Sequence, residues 1–179
     1  MIFKAIFSGF GGQGVLMMGT SLAHGAMSNG YHVTFLPSYG AEIRGGTANC
    51  TVAIADEEIA SPVASEPDYL VVMNAPSLFS FQNKVAAKGV IFLNSSIISE
   101  RSSRSDVQAY AVPCGDIAQD LGNTRVANII MMGAFIKKSG IVTPDIYLKS
   151  LESIMGGRKK GVAEINRKAF AAGFDYVKD

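Results

Sequence analysis

A chain of 179 residues, 48% of them hydrophobic, is long and apolar enough for one compact domain with its own core, so a single domain over 1–179 is expected. Sixteen Lys and Arg against fifteen Asp and Glu leave a formal charge of +1, which gives no field for steering nucleic acid and excludes that class of partner. Charged residues are only 17% of the chain, below the roughly 25% usual in soluble domains, a composition that suits a subunit with part of its surface covered.

The apolar run Ala5-Ile6-Phe7 ahead of glycines predicts a first strand, and after Gly14 the residues Val15, Met18, Leu22 and Ala26 recur at helical spacing. Asn29-Gly30 supplies the helix stop. Residues 31–36, rich in β-branched and aromatic side chains, predict a second strand that Pro37 closes, which completes a βαβ unit. Residues 38–46 hold Gly40, Gly45 and Gly46 and set Glu42 two positions before Arg44, the composition of a loop. From Thr47 the side chains alternate, with Thr47, Asn49 and Thr51 on one face and Ala48, Cys50, Val52 and Ile54 on the other. That pattern predicts a strand with one polar and one dry face.

Residues 69–73 and 90–93 are apolar throughout and predict central strands buried on both faces. Between them Asn74-Ala75-Pro76 opens a helix-compatible stretch that ends near Lys88-Gly89, and residues 107–112 predict the last strand. Asn123 reads as the cap of a helix that runs to Lys138, with Gly140 beyond it. Val126 and residues 129–136 place apolar side chains around most of its circumference, so it is expected in the core or against a second subunit. Thr143-Pro144 starts another helix, and a final one covers residues 160 to about 174. The expected fold class is α/β: a three-layer α/β/α, Rossmann-like domain with a mostly parallel sheet that contains some antiparallel strand.

The turn Gly9-Phe10-Gly11-Gly12-Gln13-Gly14 between strand and helix has the spacing of a dinucleotide fingerprint, where backbone N–H groups meet a pyrophosphate. Such a site also needs an acid at the end of the second strand for the ribose, and here that strand ends Phe35-Leu36-Pro37-Ser38. Without the acid, two readings remain for the glycines: an anion cradle, or plain turn geometry. No GxxxxGK[ST], GxSxG or HExxH stands elsewhere, and Cys50 and Cys114 are far apart with no metal-ligand spacing. The N-terminal apolar run is too short for a signal or a span, so a cytoplasmic protein with no membrane partner is expected.

The glycine turn with Val15, taken together with Ser38-Tyr39-Gly40-Ala41-Glu42-Ile43-Arg44-Gly45-Gly46-Thr47, resembles the gamma subunit of 2-oxoacid:ferredoxin oxidoreductases. The likeness continues through Pro67-Asp68, residues 70–73 and the Gly122-Asn123 entry to the apolar helix, and is nearest to 2-oxoglutarate enzymes, with pyruvate and branched-chain versions as alternatives. It implies a complex that oxidatively decarboxylates a 2-oxoacid, reduces ferredoxin and forms an acyl-coenzyme A. In that complex alpha, beta and in some cases ferredoxin-like delta subunits carry thiamine diphosphate and the iron–sulfur clusters. The isolated chain would then be inactive and bind no cofactor by itself. The alternative from another class is a free-standing protein that binds NAD, FAD or a mononucleotide.

No catalytic residue or metal ligand is expected on this chain. Under the resemblance, the ligand- or partner-facing loops comprise Gly11, Gly12, Gln13, Gly14, Ser38, Tyr39, Glu42, Arg44 and Gly45, with coenzyme A as a candidate contact. Arg44 either clamps an anion or pairs with Glu42 or a neighbouring subunit. Gln13 either points at a ligand or caps neighbouring backbone, and the ligand is the reading adopted.

Overall fold

The computed structural model describes residues 2–39, 47–156 and 160–178. Among these residues six strands form one sheet: β1 (Ile2–Phe10), β2 (His32–Tyr39), β3 (Thr47–Ala55), β4 (Tyr69–Val72), β5 (Val90–Asn94) and β6 (Gln108–Val112), in the spatial order β2-β3-β1-β4-β5-β6. The β1–β4, β4–β5 and β5–β6 pairs are parallel, whereas β3 runs antiparallel to both β1 and β2. Five strands therefore share one direction and β3 alone opposes them, inserted inside the expected βαβ unit.

Two local expectations change. Pro37 lies inside β2, opposite Cys50, and does not close it. A residue with no N–H is tolerated there because β2 is an edge strand. From Cys50 to Ala55, β3 is buried on both faces, so its polar-face reading fails beyond Asn49. A strand between two others, with Thr51 beside Ile6 of β1, is covered whatever its own alternation suggests.

Among the described residues there are six α-helices: α1 (Val15–Ser28), α2 (Ala75–Phe81), α3 (Cys114–Asp120), α4 (Ala127–Ser139), α5 (Pro144–Ile154) and α6 (Lys160–Tyr176). On one face of the sheet α1 and α4 contribute to the main core, with α5 packed on α1 and α6 on α4. Phe135 of α4 is the hub: its ring lies 5.3 to 6.2 Å from those of Phe3, Phe7, Tyr69 and Phe92, above three adjacent strands. Complete burial of such a ring stabilises by roughly 1.5–3 kcal/mol, and each aromatic pair adds ~0.5–1.5. The apolar girdle of α4 is thus explained within the chain, by the sheet beneath it and α6 above.

The opposite face is thinner. Its small core of Ile6, Leu70, Val72, Ile91 and Leu93 is covered by Leu78 of α2 and by Ala64, Val85 and Ile98 from connecting segments. The helix expected to reach Lys88-Gly89 ends at Phe81 and tightens into a 3₁₀ turn at Gln82–Lys84. Arg104 explains the stop, because its Nη1 donates to the carbonyls of Gln82 and Val85 at 3.1 and 3.0 Å and satisfies acceptors a longer helix would have used.

The helices after β1 and β4 leave to opposite faces, since α1 joins the main core and α2 the smaller one. Adjacent strands with helices on opposite sides create a crevice at their carboxyl ends, where open α/β sheets bind ligands.

Candidate functional site

The glycine turn and the end of β2 lie side by side at this carboxyl edge. The end of β1 pairs with the start of β3, Gly9 opposite Ala48 and Phe10 opposite Thr47, and Ser38 lies one strand further, opposite Asn49. Gly11, Gly12, Gln13, Gly14, Ser38 and the end of β2 at Tyr39 are thereby brought to one rim. Glu42, Arg44 and Gly45 lie outside the described residues.

Gln13 does not serve the ligand reading. Its Oε1 accepts from the N–H of Phe10 at 2.7 Å and its Nε2 donates to the carbonyl of Met73 at 3.0 Å, so the side chain stitches the end of β1 to that of β4. The β1–β4 register ends at Ser8 and Val72, and beyond it a side-chain amide supplies both the acceptor for Phe10 N–H and the donor for Met73 C=O. Gly9 makes room for it: a Cβ there would fall 2.6 Å from that Oε1 and 2.8 Å from Cβ of Met73.

Beneath this bridge sits a polar cluster that the sequence reading missed. Asn74 caps α2, its Oδ1 accepting from Ser77 N–H at 2.9 Å, while its buried Nδ2 has no partner among the described residues. Ser8 Oγ donates to Ser77 Oγ at 2.8 Å, and Asn94 Nδ2 reaches the carbonyl of Met73 at 3.4 Å. The available signal was an Asn at the end of each apolar strand run, at Asn74 and Asn94.

The other flank of the glycine turn is open. Gly12 and Gly14 have φ of 98° and 73°, the left-handed region that favours glycine. Gly14 is the N-cap of α1 and lends it no side chain; the first intrahelical bond runs from Met18 N–H to Gly14 C=O. The N–H groups of Val15, Leu16 and Met17 therefore precede the ladder, and no acidic residue occupies the first turn. Here the turn borders a groove of about 470 Å³, closed on its far side by the start of α4, the end of α5 and the start of α6. Asn123, Arg125, Asn128 and Asn166 supply its polar groups. Met17, Met155, Val162 and Ile165 supply its apolar wall. Asn123 caps a 3₁₀ turn at Thr124–Val126 that precedes α4 and does not cap α4 directly.

Elsewhere, groups that look chemical are structural. Burial pushes the thiols of Cys50 and Cys114 up to about 12, which keeps them neutral and unreactive. His24 Nδ1 lies 2.9 Å from Ser150 Oγ, but Ser150 is buried and donates to Ser21 C=O, so the pair fastens α1 to α5. Among the described residues there is no group of three or more His, Cys, Asp or Glu that would hold a metal, and no helix long and apolar enough to cross a membrane.

The family model for pyruvate ferredoxin/flavodoxin oxidoreductase matches residues 4–176. The ketoisovalerate oxidoreductase subunit VorA of Methanothermobacter thermautotrophicus is 37% identical over 96% of the chain, though the chain spans only 36% of that relative's length. The 2-oxoglutarate synthase subunit KorC of Methanothermobacter marburgensis is 32% identical over 95% of the chain and 94% of its own length. Among solved structures, the keto/oxoacid ferredoxin oxidoreductase gamma subunit of Geobacter sulfurreducens superimposes with a TM-score of 0.82 at 28% identity, covering 97% of this chain and 96% of its own.

Proposed function

The chain belongs to the pyruvate ferredoxin/flavodoxin oxidoreductase family, and from that premise we propose that it works as the gamma-type subunit of a 2-oxoacid:ferredoxin oxidoreductase. The complex decarboxylates a 2-oxoacid oxidatively, transfers the acyl group to coenzyme A and delivers two electrons to ferredoxin. Full-length correspondence with KorC carries the subunit reading.

Thiamine diphosphate and iron–sulfur clusters are assigned to partner alpha, beta and ferredoxin-like delta chains. The described residues of this chain do not fit a cluster: its two thiols lie on separate elements, β3 and α3, each buried in the core. No redox step is therefore routed through it. Its contribution is to complete the assembly and to offer the glycine turn and Ser38 at the carboxyl rim, together with Arg44 of the sequence loop, to coenzyme A or to a partner chain.

For the substrate we favour 2-oxoglutarate, because a KorC relative that matches over nearly its whole length is 32% identical, above the 28% of a pyruvate synthase PorC subunit matched over a similar share. A branched-chain 2-oxoacid is the second reading, favoured by the 37% identity to VorA. Co-purification with the chains encoded beside it, followed by assay of ferredoxin reduction with 2-oxoglutarate, pyruvate and 3-methyl-2-oxobutanoate, decides both points. Activity that depends on coenzyme A, appears only in the assembled complex and is highest with 2-oxoglutarate is expected. Activity of the isolated chain, or tight NAD or FAD binding by it, would sink the subunit reading.

A further inference from the structure

On the edge of the sheet remote from the glycine turn, a groove crosses the amino ends of β1, β4 and β5. We infer that it binds a zwitterionic amino acid with an apolar side chain, Lys88 taking the carboxylate and the carboxyl end of α4 the ammonium. The inference goes beyond the subunit reading, because the groove uses no residue of the carboxyl rim.

The groove holds about 470 Å³, within the ~300–1,000 Å³ of small-molecule sites. Phe3 and Tyr69, stacked with ring centroids 4.8 Å apart, and Tyr31 after α1 give it aromatic walls. Ser139 and Gly140 line it where α4 ends. The last bond of that helix joins Gly140 N–H to Ile136 C=O, so the negative end of its dipole lies at the groove. The two lysines of its last turn are engaged elsewhere: Lys137 and Lys138 stand over the rings of Phe174 and Tyr110, neither of which lines the groove. Asp68 adds a carboxylate, one oxygen of which accepts from Lys4 N–H at 2.8 Å. This side of the groove favours a cation.

The opposite charge comes from Lys88, in the turn that leads into β5. Its φ of 66° makes it the one non-glycine residue in the left-handed region among the described residues. The turn fixes it there, since Lys88 N–H donates to Asp106 C=O and Gly89 N–H to Ala86 C=O, both at 2.9 Å. Glycine or asparagine would sit there at less cost, so a lysine at this place beside a groove points to a use for its side chain. Ser139 Oγ is buried with no partner among the described residues, a bond that a bound polar group would complete. Burial, with the Asp68 carboxylate nearby, holds the Tyr69 phenol above its ordinary value, so it remains a neutral donor. A ligand with only one charge would leave one pole of the groove unmatched. An amino acid supplies both charges, and a hydrocarbon side chain fills the space between aromatic walls.

Calorimetry of the full chain with L-phenylalanine tests the site against glycine, 3-phenylpropionate and 2-phenylethylamine, which lack the ring, the ammonium and the carboxylate in turn. L-Phenylalanine is expected to bind at one site, with each of the others about tenfold weaker or worse. Lys88→Gly removes the ammonium at a position whose backbone favours glycine. The variant should keep its thermal midpoint while its affinity for L-phenylalanine falls about tenfold. No binding of L-phenylalanine up to about 10 mM, equal affinity for all four probes, or unchanged affinity in Lys88→Gly would each overturn the site. None of these results bears on the subunit reading, which is decided by the activity of the assembled complex.

Discussion

Cys50 and Cys114 illustrate how a residue's surroundings decide its chemistry. Each is fully buried in the main core, and desolvation raises both thiols from 9.0 to about 12. Below pH 9 folded and unfolded chains alike hold neutral thiols, so this contribution is fully present. Above pH 9 the unfolded chain releases protons that the folded chain keeps, and stability falls as pH rises toward 12. Each thiol adds at most ~1.4 kcal/mol of loss per pH unit in that window. Tyr147, wholly buried and raised by desolvation, acts in the same direction at higher pH. Urea unfolding at pH 8, 9.5 and 10.5 should show this decline, and a Cys50→Ala, Cys114→Ala double variant should decline less steeply. An equal slope in the variant would mean that other groups govern alkaline stability.

Among the elements, α4 and α6 cross more closely than any side chain would allow. A Cβ on Gly173 would fall within 1.7 Å of the Ile130 carbonyl oxygen, and one on Gly133 within 2.1 Å of that of Phe170. Gly173→Ala gains up to ~1 kcal/mol of helix propensity, but the clash is with backbone, which cannot yield by changing a rotamer. We expect a net loss of about 2 kcal/mol or more in urea unfolding, whereas Gly161→Ala, at an open position of the same helix, should be neutral or slightly stabilising. Equal effects from the two changes would refute the crossing. This contact marks where sequence legibility ends. Strand runs, the cap at Thr143 and the girdle of α4 were readable because each is local or periodic. The pairing of Gly133 with Gly173, the burial of both faces of β3 and the bridge made by Gln13 depend on residues about 40 to 60 positions away, which no local pattern reports. The glycine turn of the carboxyl rim was legible in the sequence; Arg125, Asn128 and Asn166 were not, since the starts of α4 and α6 meet the turn only in the folded chain.

For the molecule as a whole, the asymmetry between the two faces of the sheet sets where it opens first. One face carries helices in two tiers around Phe135, and the other is covered by the seven-residue α2 and connecting segments, with Phe79, Val63 and Ile97 more than half exposed. Local opening follows buried apolar contact, so the two faces should not exchange amide hydrogens together. The amides of β1, β4 and α4, which meet at the Phe135 hub, should exchange only through global unfolding. Those of α2 and of the edge strand β6, exposed along most of its length, should exchange through smaller openings with weaker urea dependence. Native-state hydrogen exchange across a urea series resolves the two classes. A single class, with α2 and β6 as protected as α4, would show that the thin face is as firmly held as the thick one. If the thin face is also where a partner chain docks, protection of α2 would rise on assembly while that of α4, already limited by global unfolding, would change only with the stability of the whole chain.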